Sequence, residues 1–237
     1  MDDLISYSCR IRNILILKSR FISDLGLLNG KTGIAITFAH LYEYTNNDVY
    51  YECMSELLDD VLEHTYRGLG LGFASGFSGL GWGIEYLIQK QFVEGNSFEI
   101  CEEIDRKIME TNVRRIVDLS IENGLEGLLH YVLIHLSGRN RTADLLPFDE
   151  MYLYDLYITV QALVLKKQPF SLSQLIYLYI NWFDGKTILD YSLNIMQFVD
   201  SATIDQTLLY RNQLGLRDGL SGLLLKQLYY EKKGLCI

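Results

Sequence analysis

A short motif with two glycines recurs four times along this sequence, and this repeat constrains the fold more than any other feature. The motif reads small polar residue, Gly, two variable residues, Gly and an aliphatic residue. The gaps between the leading glycines are 46, 48 and 95 residues, so a degenerate fifth unit is expected near residue 171. A period of about 47 residues predicts an array of similar helical units. The four copies are Leu28–Ile34, Ala74–Leu80, Glu122–Leu128 and Arg217–Leu223.

The residues of each motif suggest how it is used. Asn29, Ser75, Asn123 and Asp218 stand directly before the leading glycines, and such residues are favoured as helix N-caps. Each glycine costs a helix about 1 kcal/mol relative to Ala. Four copies of that cost imply a compensating gain. We expect that gain to be a close approach of backbones where the helices begin.

The remaining pattern predicts helices throughout, because proline occurs only twice in 237 residues and proline interrupts helices. Mainly apolar helices are predicted over 30–45, 77–92, 124–137 and 219–233. Further helices are predicted, of which 47–66 and 97–120 are clearly amphipathic; they cover 3–22, 47–66, 97–120, 149–167, 171–183 and 186–212. Asn96 and Glu99 form a predicted capping box. Alternation of apolar and amphipathic helices predicts an all-α fold, an α/α toroid of about five GxxG-marked units in one domain, 1–237. A solenoid of helical hairpins is the alternative.

Charge and composition exclude several functional classes. The net charge is −9, and no basic stripe is present to bind nucleic acid. Anionic membrane surfaces are disfavoured for the same reason. No signal peptide or spanning segment is predicted. Cys9, Cys53, Cys101 and Cys236 are scattered, which predicts reduced thiols and a cytoplasmic location.

Two of the motifs resemble a known family. The segment Gly72–Trp82, GFASGFSGLGW, is similar to the GxxGxGW signature of lanthionine synthetase C-like proteins, and Leu27–Ile34, LLNGKTGI, resembles their first GLLxGxxG element. The resemblance implies an α/α toroid and a role on ribosomally made peptides. In that family a zinc ion activates a peptide cysteine, which adds to a dehydrated Ser or Thr and closes a thioether ring.

The zinc ligands of the family are not matched. They come from a Trp-Cys-x-Gly element and a late Cys-His-Gly element, and this sequence contains neither a Trp-Cys nor a Cys-His pair. The last motif carries Arg217 and Asp218 where the resemblance would place Cys and His. We therefore expect neither zinc nor another cofactor and, on balance, no enzymatic activity.

Several residues are candidates for a shared pocket, each with a structural alternative. The loop residues Asn29, Ser75, Asn123, Arg217 and Asp218 would line it unless they serve only as caps. Arg217 could hold a carboxylate or phosphate, or pair with Asp218 or Glu122. Glu126 and His130 share a helix face, as two metal ligands would, but a hydrogen-bonded, partly buried histidine is the simpler interpretation. His40, His64 and His135 each stand alone in the sequence.

Three functions remain open. The first is a non-cyclising member that binds a peptide or protein partner during maturation of ribosomally made peptides. The second is a glycan hydrolase that uses paired carboxylates, drawn from Glu85, Glu126 and Asp218. The third is an active cyclase with an unrecognised zinc site, to which another chain or Cys236 would contribute ligands.

Overall fold

The computed structural model describes residues 2–64, 68–138, 146–199 and 213–232. Over this part of the chain the protein is all-helical and has no strand, which confirms the predicted fold class. No helix within it is long and apolar enough to cross a membrane. The α-helices are α1 (Asp2–Lys18), α2 (Lys31–Thr45), α3 (Asp48–His64), α4 (Phe77–Gln89), α5 (Ser97–Ile100), α6 (Glu102–Met109), α7 (Leu125–Ser137), α8 (Glu150–Gln161), α9 (Phe170–Phe183) and α10 (Leu220–Lys232).

The chain divides into two compact units. The first comprises Met1–Leu69 and Asn194–Ile237, and the second comprises Gly70–Leu193. In the first unit α2 packs against α3 and α10, and α1 packs against α10. In the second unit α7 packs against α4 and α9, while α4 also packs against α6 and α8 against α9. The single domain over 1–237 stays a prediction.

Three of the helices that follow the motifs, α2, α4 and α7, are buried around their circumference over most of their length, as predicted, whereas α10 is buried over 220–225 and partly exposed beyond. Residues 31–39 of α2 and all of 125–136 in α7 are buried, and α4 is buried over 77–87. By contrast, α3 buries one face through Cys53, Leu57 and Val61 and exposes the other. A helix with apolar residues on all sides belongs inside a core, and a helix with one apolar stripe covers it.

Three predicted helices were wrong in extent, and the one predicted over 149–167 ends at Gln161. The helix predicted over 97–120 ends at Met109, apart from a short 3-10 turn at Val113–Arg115, because residues 116–120 form the loop before α7. The helix predicted over 186–212 is absent from 186–194. Gly185, with φ of +68°, ends the preceding helix, and the chain then runs without helix to a 3-10 turn at Ile195–Phe198. Residues 200–212 lie outside the described part of the chain.

The predicted N-caps at the motifs were also wrong. The N-cap residues of α2, α4 and α7 are the glycines Gly30, Gly76 and Gly124, one position later than predicted. Asn29, Ser75 and Asn123 therefore lie outside the helices, and Asp218 likewise precedes the start of α10 by two residues. The predicted cap at Asn96 is confirmed, since its side chain accepts from the N–H of Phe98 and contacts Glu99.

The reason for the displaced caps is a backbone loop common to all four motifs. In each, the first helical N–H donates over 2.9 Å to the carbonyl seven residues earlier: Lys31 to Asp24, Phe77 to Gly70, Leu125 to Asp118 and Leu220 to Gln213. This bond satisfies an N–H group from which the side chain of an N-cap residue would otherwise accept a hydrogen bond.

The motif glycines press against the same loops. A Cβ on any leading glycine would lie within 3.0 Å of the carbonyl oxygen six residues earlier. The second glycines Gly33, Gly127 and Gly222 meet the carbonyls of Leu27, Ile121 and Leu216 in the same way. The close backbone approach expected from the repeat is therefore present, and the partner is chiefly the chain's own preceding loop.

Candidate functional site

Motif loops within each unit are joined by a repeated pair of backbone hydrogen bonds. In the second unit the N–H groups of Phe73 and Ala74 donate to the carbonyl of Glu122, at 2.7 and 3.0 Å. In the first unit Leu216 and Arg217 donate to the carbonyl of Leu28, at 2.8 and 3.0 Å. The fourth motif thus contacts the first as the second contacts the third, with the same motif positions used in both pairs.

The loop residues predicted to line a pocket lie at the surface of these joined loops. Asn29, Asn123 and Asp218 are exposed, and Ser75 and Arg217 are half-buried. In the second unit the side-chain oxygen of Asn123 lies against Gly72, and in the first unit Asn29 lies against Gly215. The structure therefore brings Asn29 beside the loop of Arg217, and Asn123 beside the loop of Ser75. A single pocket shared by all five stays a prediction.

Glu126 lies in the first turn of α7 and is buried to 7% exposure. It occupies the motif position held by Thr32 and Ser78, whose hydroxyls donate to the carbonyls of Leu25 and Leu71 at 2.5 and 2.6 Å. Ser221 holds the same position in the fourth motif, and its buried hydroxyl has no hydrogen-bond partner among the described residues. The hydroxyl bond to the preceding loop is therefore made in the first two motifs and is not repeated by Glu126 or Ser221.

His130 is a buried, hydrogen-bonded histidine, as the simpler interpretation proposed. Its Nδ1 lies 2.6 Å from the hydroxyl of Tyr191, and that hydroxyl accepts from the indole N–H of Trp82 at 2.9 Å. Burial lowers the pKa of His130 to about 3. A neutral imidazole accepts at one nitrogen, so the geometry has Tyr191 donate to Nδ1 while accepting from Trp82.

Glu85 lies near the C-terminal end of α4, away from the motif loop. Its carboxylate pairs with Nδ1 of His135 and accepts from the amide of Gln89 at 2.8 Å. The other imidazole nitrogen of His135 lies 2.9 Å from Asp105, which also accepts from the hydroxyl of Tyr131. This set, Glu85, His135, Asp105 and Tyr131, is referred to as the histidine cluster.

The histidine cluster holds a charged imidazolium in the core. Both ring nitrogens face carboxylates, so both carry hydrogens. Burial favours the neutral form, but the hydrogen bonds to Asp105 and Glu85 and their charges prevail and raise the pKa of His135 to about 9. Burial likewise raises the pKa of Asp105, against the opposing effect of His135. Because Glu85 is engaged in this way, it is not free to act as one of two hydrolytic carboxylates.

The donor groups of this chain do not fit a zinc ion bound in the family manner. Arg217 is a permanent cation and cannot ligate a metal. Cys9 lies on α1, Cys53 on α3 and Cys101 between α5 and α6, so none of these three belongs to a motif loop. Burial raises the pKa of Cys101 well above its usual range, which opposes the thiolate a metal requires. Within the described ranges no three His, Cys, Asp or Glu side chains are grouped to hold a metal. Cys236 lies outside those ranges.

Comparison with known proteins agrees with the motifs. A family model described as Lanthionine synthetase C-like protein matches residues 18–147, more than half of the chain. No curated protein and no solved structure matches the sequence.

Proposed function

Because this chain belongs to the lanthionine synthetase C-like family, we propose that it is a non-cyclising member, which binds a peptide or protein partner during maturation of ribosomally made peptides. The fold class follows from the family and from the all-helical structure. Function does not follow from a fold alone, so the proposal depends on the motif loops.

One observation carries the proposal: the fourth motif keeps the architecture of the loop but replaces the ligands. Its N–H groups at Leu216 and Arg217 bond to Leu28, and Gly219 and Gly222 press on the preceding carbonyls, as in the other copies. Arg217 and Asp218 then stand where the resemblance places Cys and His. The backbone that presents the loop side chains is preserved, but the cysteine and histidine ligands that zinc would need to activate a thiol are replaced.

The polar surface that remains suits recognition of a peptide. The first amides of the motif helices are occupied by their own loops, so recognition falls to side chains such as Asn29, Arg217 and Asp218 in the first unit. A guanidinium and a carboxylate on adjacent residues can bind opposite charges of a polypeptide, and an amide can bind its backbone.

The test combines three measurements on the untagged full-length chain. Zinc content is measured after purification, a fluorescent peptide containing one dehydroalanine and one cysteine is titrated by anisotropy, and loss of the peptide thiol is followed with and without added zinc. We expect less than about 0.2 zinc per chain because the ligand set is incomplete, saturable binding, and no thiol loss above the protein-free control. Stoichiometric zinc with thiol loss would identify an active cyclase. Absence of saturable binding across such peptides would refute the accessory role.

The same peptide tests the loop surface directly. Arg217→Gln removes the guanidinium charge, and Arg106→Gln, on the exposed face of α6, changes the net charge equally away from the loops. We expect weaker peptide binding for Arg217→Gln by about tenfold, as for loss of one charge-assisted contact, and unchanged binding for Arg106→Gln. Equal effects of the two substitutions would show that only the net charge matters.

A further inference from the structure

A cavity of about 410 Å³ opens at the C-terminal end of α4. It is lined by Glu85, Gln89 and the segment that follows the helix, including Glu94 and Ser97. Cavities of this size accommodate small organic ligands. The motif loop stands at the other end of α4, about 20 Å away for a helix of this length. The cavity is therefore distinct from the loop surface of the proposed function.

Of the polar side chains around the cavity, Glu85, Gln89 and Glu94 offer hydrogen-bond acceptors, while the amide of Gln91 and the hydroxyl of Ser97 can both donate and accept. Gln89 donates its amide N–H groups to Glu85 at 2.8 Å and to the carbonyl of Ile134 at 3.0 Å. Both of its donors are thereby used, and its amide oxygen remains as an acceptor. The carboxylate of Glu94 is exposed and has no side-chain partner among the described residues.

Ser97 supplies an independent indication of a ligand. It is only 6% exposed and lines the cavity, and its hydroxyl is not among the fully buried oxygens of the described residues. A hydroxyl that is reached from a cavity is available to a bound molecule.

Among the described residues, the groups around the cavity favour a cation. Behind Glu85, the histidine cluster places two carboxylates around one imidazolium, a net negative charge. The C-terminal end of α4 adds the negative end of a helix dipole. The segment 85–97 contains one cation, Lys90, whose ammonium lies over the ring of Tyr86 and which does not line the cavity.

The apolar part of the lining specifies the rest of the ligand. Ile88 and Val93 contribute aliphatic surface beside the acceptors. An aliphatic chain that ends in a group with several N–H donors matches both parts, since an ammonium offers three donors and no acceptor. We propose that this cavity binds a primary alkylammonium group, from either a free amine or a lysine side chain.

The experiment uses the full chain labelled with ¹⁵N and two amine probes, each with an uncharged counterpart. Pentylamine is compared with 1-pentanol, and N-acetyl-lysine-methylamide with N-acetyl-norleucine-methylamide, at pH 7 and constant ionic strength. We expect saturable shifts of the amide signals of residues 88–97, with a Kd of the order of 1 mM for ligands of this size. Binding of pentylamine alone identifies a free amine as the ligand, and binding of the lysine compound alone identifies a polypeptide side chain.

A matched pair of variants tests the contribution of the lining. Glu94→Gln removes the exposed carboxylate of the cavity, while Glu102→Gln makes the same change on the exposed face of α6, outside the lining. We expect Glu94→Gln to weaken ammonium binding about fivefold to tenfold and Glu102→Gln to leave it unchanged. Equal binding of the uncharged probes, shifts confined to other residues, or no saturation would overturn the proposal. None of these outcomes depends on whether the motif loops bind a peptide.

Discussion

The backbone N–H of Leu216 donates to the carbonyl oxygen of Leu28 over 2.8 Å, which joins the last motif loop to the first. The joined segments leave no room for a side chain at Gly33, in the first turn of α2. A Cβ there would lie within 3.0 Å of both the Leu27 carbonyl and the Leu216 side chain. Glycine at this position is therefore a requirement of packing.

The substitution Gly33→Ala separates packing from helix propensity. Propensity alone predicts that alanine stabilises a helix by about 1 kcal/mol relative to glycine. Because the added methyl group overlaps a backbone carbonyl, which cannot move without breaking the loop, we expect a loss of about 2 kcal/mol instead. Urea unfolding followed by far-UV circular dichroism measures the difference.

Gly70→Ala is the matched control for this prediction. Gly70 also lies in a motif loop, but a Cβ there would meet no atom within 4 Å. Its effect on the free energy of unfolding is expected to stay within about 0.5 kcal/mol, the usual range for unconstrained sites. If Gly33→Ala proves neutral or stabilising, the close approach of the two loops is incorrect.

The hydroxyl of Tyr191 links two buried groups, Trp82 and His130. Tyr191→Phe removes that hydroxyl and with it the hydrogen bonds to the indole N–H and to the imidazole nitrogen. We expect a loss of about 1–3 kcal/mol in the free energy of unfolding, because two buried hydrogen bonds are lost. Tyr177→Phe, at an exposed tyrosine on α9, should change it little. Equal effects from the two substitutions would argue against the bridge.

Local sequence signals predicted the motif helices well. The glycine spacing and the apolar residues on all sides mark α2, α4, α7 and α10, and these helices begin and end close to the predicted positions. The predicted cap positions were wrong because we expected a cap side chain to accept from the first N–H of each helix. In the structure that N–H donates to the backbone carbonyl seven residues earlier. Cap preferences describe single residues and do not include such a loop.

Long-range contacts account for what the sequence did not reveal. Tyr191 lies in a segment predicted as helix, but the chain there is not helical, and its hydroxyl reaches Trp82 on α4 and His130 on α7. The histidine cluster draws Glu85, Asp105 and His135 from α4, α6 and α7. Each residue is unremarkable in its own helix. A buried carboxylate in the apolar sequence of α4, Glu85, was the one available signal, because such a group requires a partner.

The pKa of His135, raised to about 9, makes stability depend on alkaline pH. In the unfolded chain a histidine releases its proton near pH 6.5, whereas folded His135 retains it until about pH 9. The folded state therefore binds more protons in this window, and stability falls as pH rises through it. Summed over the window, the loss is of the order of 3 kcal/mol.

Glu85→Gln tests this origin of the alkaline dependence. Without one of the two carboxylates, the pKa of His135 should fall toward its usual value, and the stability loss above pH 6.5 should shrink. Urea unfolding at intervals from pH 6.5 to 9, together with an NMR titration of the histidine ring signals, measures both quantities. A wild-type His135 that titrates near pH 6.5 would contradict the charged cluster.

His130, in contrast, makes the stability of the folded protein fall as pH decreases. Burial lowers its pKa to about 3, so folded His130 stays neutral while an unfolded histidine takes up a proton below pH 6.5. The unfolded state then binds more protons, and stability falls as pH decreases from 6.5 toward 3, by up to about 1.4 kcal/mol per pH unit from this group.

The substitution His130→Gln isolates that contribution from the carboxylates that titrate in the same range. Glutamine can still accept from the hydroxyl of Tyr191 but does not titrate. Between pH 6.5 and 4.5 the wild-type protein should therefore lose more stability than the variant, and the difference between their urea midpoints should narrow as pH falls. His64→Gln, at a partly exposed histidine of α3, serves as the control and should leave the acidic slope of the wild type nearly intact. Parallel pH profiles for wild type and His130→Gln would mean that His130 becomes protonated in the folded state, which the buried pairing with Tyr191 does not permit.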